Sequence, residues 1–208
     1  LKQQLEAFKD HGIERRLKFG QSTIVMSGEL LSQYARGCVI EGPSGFGKSI
    51  LAASLMNELV MEHAQTRKIP IHVWLPDAFR PGINFRGFLV DRIRSHCPAM
   101  VERVLVEAFR AGGGWLVLDG MERLSEESVE AFSTELRLLQ QDFPRLGVVV
   151  FGRRQRLADS VLPVLTLCEL NEEEQRQVAR LTFNNEGWCS SCFSSMPSSF
   201  RRLAGVPL

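Results

Sequence analysis

Eight consecutive residues carry the clearest chemistry in this chain: Gly42-Pro43-Ser44-Gly45-Phe46-Gly47-Lys48-Ser49. They match the phosphate-binding loop pattern Gly-x-x-x-x-Gly-Lys-(Ser/Thr) at every fixed position. Glycines allow the backbone to curl so that successive N–H groups converge on a phosphate chain. A helix starting at the end of the loop adds free N–H groups and partial positive charge. Lys48 supplies a mobile point charge for the β- and γ-phosphates. The Ser49 hydroxyl suits Mg²⁺, a hard cation that prefers oxygen. Lys48, at a helix start, is expected to be exposed and dispensable for packing.

Hydrolysis of a bound triphosphate needs more: a carboxylate to position magnesium and a group to orient water. Asp119 and Glu122 are the candidates. Asp119 closes the run Trp115-Leu116-Val117-Leu118, whose lack of alternation suits a strand buried on both faces. Ligands bind at such strand ends. Asp119 can accept a hydrogen bond from Ser49 or hold a magnesium-bound water. Glu122, three residues on, can polarise the attacking water.

The elements that must position these residues read as an alternation of strands and helices. Cys38-Val39-Ile40 is expected to be the strand entering the loop, and residues 50–60 the helix leaving it. Residues 69–75, 146–151 and 164–168 read as further strands, rich in β-branched and aromatic residues. Apolar residues at helical spacing mark helices over 85–96 and 101–110, and another after Ser125, an expected N-cap with the stripe Val129, Phe132, Leu136 and Leu139. Asn171-Glu172-Glu173-Glu174 resembles a capping box opening a helix to about residue 183. Residues 1–20 read as helical from Leu5, Phe8 and Ile13, and 27–35 as a short helix. The fold class is α/β: a central, mostly parallel five-stranded sheet with helices on both faces. Three regions are expected: a helical lead-in over 1–36, a nucleotide-binding domain over 37–168, and the start of a helical subdomain over 169–208.

With 208 residues the chain can bury one sizeable core, and 44% hydrophobic with 24% charged residues is ordinary for a soluble protein. A net charge of +1 gives no signal for nucleic acid. No apolar run approaches membrane-spanning length, and no membrane association is expected. Five cysteines, at 38, 97, 168, 189 and 192, are scattered. Cys189-x-x-Cys192 lacks the two further ligands a zinc site requires. A reducing, cytoplasmic setting is expected. The chain opens on Leu1, without an initiator Met, and reads as a piece of a longer protein.

Trp115-Leu116-Val117-Leu118-Asp119-Gly120-Met121-Glu122-Arg123-Leu124 resembles the Walker B segment of NACHT-type STAND ATPases, in which Asp-Gly and an apolar residue precede a second acid. In most AAA+ proteins the second acid follows the first directly, so the Gly120 spacer discriminates. The resemblance spans roughly residues 37–208. It implies that Arg153, after the strand 148–151 and beside the loop-entry strand, senses the γ-phosphate. It also implies that Pro207, in Gly205-Val206-Pro207-Leu208, packs near the base. Phe151 and Gly152 replace the family's usual Thr-Ser, and Arg123 stands where an acid is common. The resemblance further implies an ATP/ADP- and Mg²⁺-dependent switch of low turnover that self-associates in the ATP state. Its effector and sensor domains would lie outside this segment. The guanine-reading pattern Asn-Lys-x-Asp is absent, and ATP against GTP stays open. The alternatives are an AAA+-like motor that remodels nucleic acid or protein, a nucleotide-gated scaffold with little hydrolysis and, more distantly, a small-molecule P-loop kinase.

Overall fold

The computed structural model describes residues 16–25, 31, 33–44, 46–80, 82–95, 102–152, 157, 162–171 and 174. Two short strands, β1 (Arg16–Phe19) and β2 (Ser22–Val25), precede β3 (Gly37–Glu41) and the long helix α1 (Lys48–Thr66). Then come β4 (Ile69–Trp74), the one-turn helix α2 (Leu75–Ala78), α3 (Phe85–Arg94) and α4 (Glu102–Arg110). β5 (Gly114–Asp119), a 3₁₀ turn (Met121–Arg123), α5 (Glu126–Asp142), β6 (Gly147–Gly152) and β7 (Val164–Leu167) complete the described elements.

Seven strands form one sheet in the order β2-β1-β7-β3-β6-β5-β4. The pairs β7·β3, β3·β6, β6·β5 and β5·β4 are all parallel. The five expected strands therefore make the parallel sheet, and an antiparallel hairpin extends it at one edge. Each central strand alternates its side chains between two apolar layers. Val39, Leu116, Leu118, Val148 and Val150 face the layer covered by α2, α3, α4 and α5. Cys38, Ile40, Trp115, Val117, Val149 and Phe151 face α1. Burial on both faces explains why these strands carry uninterrupted apolar runs.

Local signals placed the helices. The Ser125 hydroxyl accepts the Ser128 N–H at 3.2 Å, and Val129, Phe132, Leu136 and Leu139 are buried along α5. The Asn84 side chain caps α3 by accepting the Gly87 N–H at 2.9 Å. At Asn171 the capping box is reciprocal: its side chain accepts the Glu174 N–H at 2.9 Å, and Glu174 accepts the Asn171 N–H at 2.6 Å. The rest of the helix expected to follow lies outside the described residues.

The helix expected over 1–20 is corrected where the structure describes it. Residues 16–19 are strand, turn through Gly20, and pair with 22–25 in a hairpin. Burial of Leu17 and pairing of β1 with both β2 and β7, together with the β-branched run Thr23-Ile24-Val25, outweigh the helical spacing upstream. Residues 1–15 lie outside the description. In the segment expected to be helical over 27–35, residues 31 and 33 are helical, and the chain turns at 34–36.

The hairpin is tied to the sheet by more than backbone. Leu17 is fully buried in the α1 layer, and Arg16 bridges to Glu174 at 3.0 Å. Leu17→Ala is expected to cost about 2–5 kcal/mol in a denaturant melt, the range for a truncated core leucine. A change under about 0.5 kcal/mol would mean that the hairpin is not part of the cooperative core.

Candidate active site

Among the described residues, the loop between β3 and α1 turns on Gly47, in the left-handed region. Gly47 has φ 81°, and helix α1 begins at the next residue. No side chain caps this helix, and its first turn holds no acidic residue. The N–H groups at its start therefore have no side-chain capping oxygen and no acidic residue from the helix's own first turn, which leaves them open to an anion. Phe46 is buried in the α1 layer and anchors the loop from below. Gly42 is buried, while Pro43 and Ser44 are exposed; Gly45 lies outside the described residues.

Lys48 departs from expectation. It is 5% exposed rather than free in solvent. Its ammonium donates to the carbonyls of Gly42 and Pro43, both at 2.9 Å, and pairs with Glu122 Oε1 at 2.7 Å. The loop curls over the side chain, and two of its own carbonyls take up the buried charge together with one carboxylate. An ammonium has three N–H donors, and here each has an acceptor.

Asp119 ends β5 and is 3% exposed. Its carboxylate accepts the Gly120 N–H at 2.8 Å and a hydrogen bond from the Ser49 hydroxyl. Burial raises its pKa, opposed by these two hydrogen bonds and by nearby His72. After Asp119 the chain changes direction at Gly120, φ 87°, and enters the 3₁₀ turn that carries Glu122. A Cβ at Gly120 would fall 2.7 Å from the Trp74 ring. Glycine is thus required twice over, by conformation and by contact. The turn brings Glu122 back to Lys48, and Glu122 Oε2 is buried without a hydrogen-bond partner.

The structure therefore brings Lys48, Ser49, Asp119 and Glu122 together at the C-terminal ends of β3 and β5. Sequence reasoning missed two neighbours, His72 and Trp74. In-register pairing sets Trp74 beside Asp119 and His72 beside Val117, on the same face. Burial lowers the His72 pKa, partly countered by Asp119. Alternation along β4 put Pro70, His72 and Trp74 on one face; only the strand order shows which face that is. Arg153 and Pro207 lie outside the described residues. β6, which Arg153 follows, does lie directly beside β3.

No family model matches the sequence, and no curated protein matches it. Solved structures do. Domain III of the replication initiation protein DnaA from Thermotoga maritima is similar at 18% identity and TM-score 0.50, over 85% of this chain and 71% of that one. The AMPPCP-bound DnaA of Aquifex aeolicus aligns at 15% identity and TM-score 0.43, over 84% of this chain and 57% of that one. The Thermotoga maritima RuvB Holliday junction branch migration motor aligns at 15% and 0.40, over 86% and 56%. At these identities the likeness is one of fold. The chain has a P-loop NTPase fold, a mostly parallel sheet flanked by helices.

Burial of Asp119 has a consequence for stability. A carboxyl pKa raised in the folded state means that the folded chain binds its proton more tightly than the unfolded chain. Ionised Asp119 thus subtracts stability at neutral pH, and the penalty fades as pH falls through the folded pKa. Asp119→Asn is expected to raise the melting midpoint of the ligand-free protein by a few degrees at pH 7. The gain should shrink as pH is lowered toward the carboxylate range. Melts of both proteins between pH 7 and pH 5 check this. A lower midpoint for the variant at pH 7 would mean that the Ser49 and Gly120 hydrogen bonds outweigh desolvation.

Proposed function

We propose that this chain binds Mg·ATP and hydrolyses it slowly, as the nucleotide switch of a STAND/NACHT-type signalling protein that self-associates in the ATP state. The observation that carries the proposal is the convergence of four side chains from distant segments. Lys48, Ser49, Asp119 and Glu122 meet beside an uncapped helix N-terminus, with Lys48 and Glu122 2.7 Å apart. That is the inventory phosphoryl transfer to water demands.

In this reading the backbone N–H groups at the start of α1 hold the phosphate chain, and Lys48 meets its terminal phosphates. Ser49 and Asp119 hold magnesium directly or through water; the Ser49–Asp119 hydrogen bond already sets both oxygens side by side. Bound magnesium neutralises charge on the phosphates. Glu122 orients the attacking water and accepts its proton. Arg153 is the candidate γ-phosphate sensor, and Pro207 the candidate contact to the base. The site needs no preformed metal cage, since magnesium keeps several waters and takes few protein ligands.

The glycine-spaced acid favours the STAND subtype within this reading. Gly120 and the 3₁₀ turn after it let Glu122 reach Lys48, a path that an acid directly after Asp119 would not follow. The second reading is an AAA+-type ATPase that remodels nucleic acid or protein. It draws on the likeness to domain III of a replication initiation protein. Turnover stimulated by single-stranded DNA would favour it, whereas ADP retained through purification favours the switch. The effector, the sensor and a cytoplasmic setting belong to the same proposal. No helix among the described residues is long and apolar enough to cross a membrane.

Lys48→Ala is expected to weaken Mg·ATP binding by roughly 10- to 150-fold, the worth of a charge-assisted contact. The variant should remain folded but melt lower than the parent, because Glu122 loses its cation. Fluorescent ATP titration with a parallel melt checks both. Glu122→Gln should slow hydrolysis about 10²- to 10⁴-fold in a single-turnover assay. Unchanged ATP affinity in folded Lys48→Ala would overturn the reading. Parent-rate hydrolysis by Glu122→Gln would leave a nucleotide-gated scaffold.

A further inference from the structure

Lys48 is saturated in the ligand-free site. Two of its acceptors, the Gly42 and Pro43 carbonyls, belong to the loop itself, and Glu122 Oε1 belongs to the turn after β5. Of the three, Glu122 alone is charged and alone arrives from another element. Its position is asymmetric: one oxygen holds Lys48, while the other is buried with no partner. A buried polar atom without a partner costs free energy, so the Lys48 contact must hold Glu122 in place against that cost.

We infer that Glu122 is a competitor built into this site: it occupies Lys48 in place of phosphate, and only a ligand with at least two linked phosphates displaces it, at a cost in affinity that a monophosphate does not meet. The inference rests on the nucleotide-binding reading above and concerns the same site. A ligand reaches Lys48 by displacing one of its three acceptors, and the carboxylate is the one that comes from outside the loop. The first phosphate of a nucleotide is met by the loop and helix N–H groups, and the lysine serves the phosphates beyond it. A monophosphate leaves the Lys48–Glu122 pair intact and gains nothing from the cation. A diphosphate or triphosphate offers Lys48 a phosphate oxygen in exchange for the carboxylate. The exchange releases Glu122, which then has both oxygens available for water. Seating the phosphate chain and freeing the water-orienting group become one event.

Two measurements on the chain as it stands test this. The first is a set of ligand-free melts on the parent, Lys48→Ala, Glu122→Gln and the double variant. Each single change should lower the midpoint, and the double change should cost no more than the worse single one. The second is calorimetry with adenosine, AMP, ADP and pyrophosphate. Glu122→Gln should bind ADP and pyrophosphate about tenfold more tightly than the parent and bind adenosine and AMP equally well. Glu122→Ala should shift affinities in the same direction, which guards against a fault peculiar to one substitution. Additive melts, or an equal gain for AMP and ADP as general charge removal would produce, overturn the inference. So does ADP binding by the parent with no gain in either variant, and in that case the nucleotide-binding reading survives. A parent chain that binds neither ADP nor pyrophosphate removes the binding reading and this inference with it.

Discussion

The buried ammonium of Lys48 is the constraint around which this site is arranged. A cation that is 5% exposed must be answered by nearby oxygens, and the three that answer come from two separate parts of the chain. Gly42 and Pro43 do so because the loop closes over the side chain before Gly47 starts α1. Glu122 does so because Gly120 turns the chain back after β5. Loop and turn are therefore coupled through one nitrogen. The coupling fixes both the shape of the phosphate cradle and the place of the candidate water-orienting acid.

The sheet makes that meeting possible. β3 and β5 are not neighbours: β6 lies between them. Two strand spacings separate them, about 9–10 Å, a gap that the Lys48–Glu122 ion pair bridges. β6 fits between because its residues are apolar on both faces, and Gly152 at its end leaves room for Met121, which a Cβ there would approach to 2.8 Å. On the outer side of β5, Trp74 packs under Gly120 and supports the turn from below. An apolar frame thus presents four polar side chains at one edge, which is how α/β sheets generally host ligands.

Much of this was legible in the sequence for definite reasons. The strands at Trp115 and Val148 announced themselves by unbroken apolar runs, and α5 by its Ser125 cap and its stripe from Val129 to Leu139. The loop motif located Lys48 and Ser49, and position at a strand end located Asp119. The hairpin at 16–25 was hidden because four-residue strands give little alternation to read, while Leu5, Phe8 and Ile13 upstream suggested a helix. Burial of Lys48 was hidden for a different reason. It depends on Glu122, distant in sequence, and on a reversal at Gly120 that spacing alone does not describe. The proximity of His72 to Asp119 needed the register of β4 on β5, which no local pattern encodes. Legibility ended where function depends on pairs that the fold brings together from afar.

The most direct test of the central claim is a crystal structure of this chain grown with Mg·ADP. The account predicts phosphate density over the first turn of α1, with Lys48 Nζ on a β-phosphate oxygen and no longer paired with Glu122. It predicts magnesium between Ser49 and Asp119, bound directly or through water. Nucleotide bound elsewhere on the chain, or phosphates in the loop with the Lys48–Glu122 pair still closed, would contradict it.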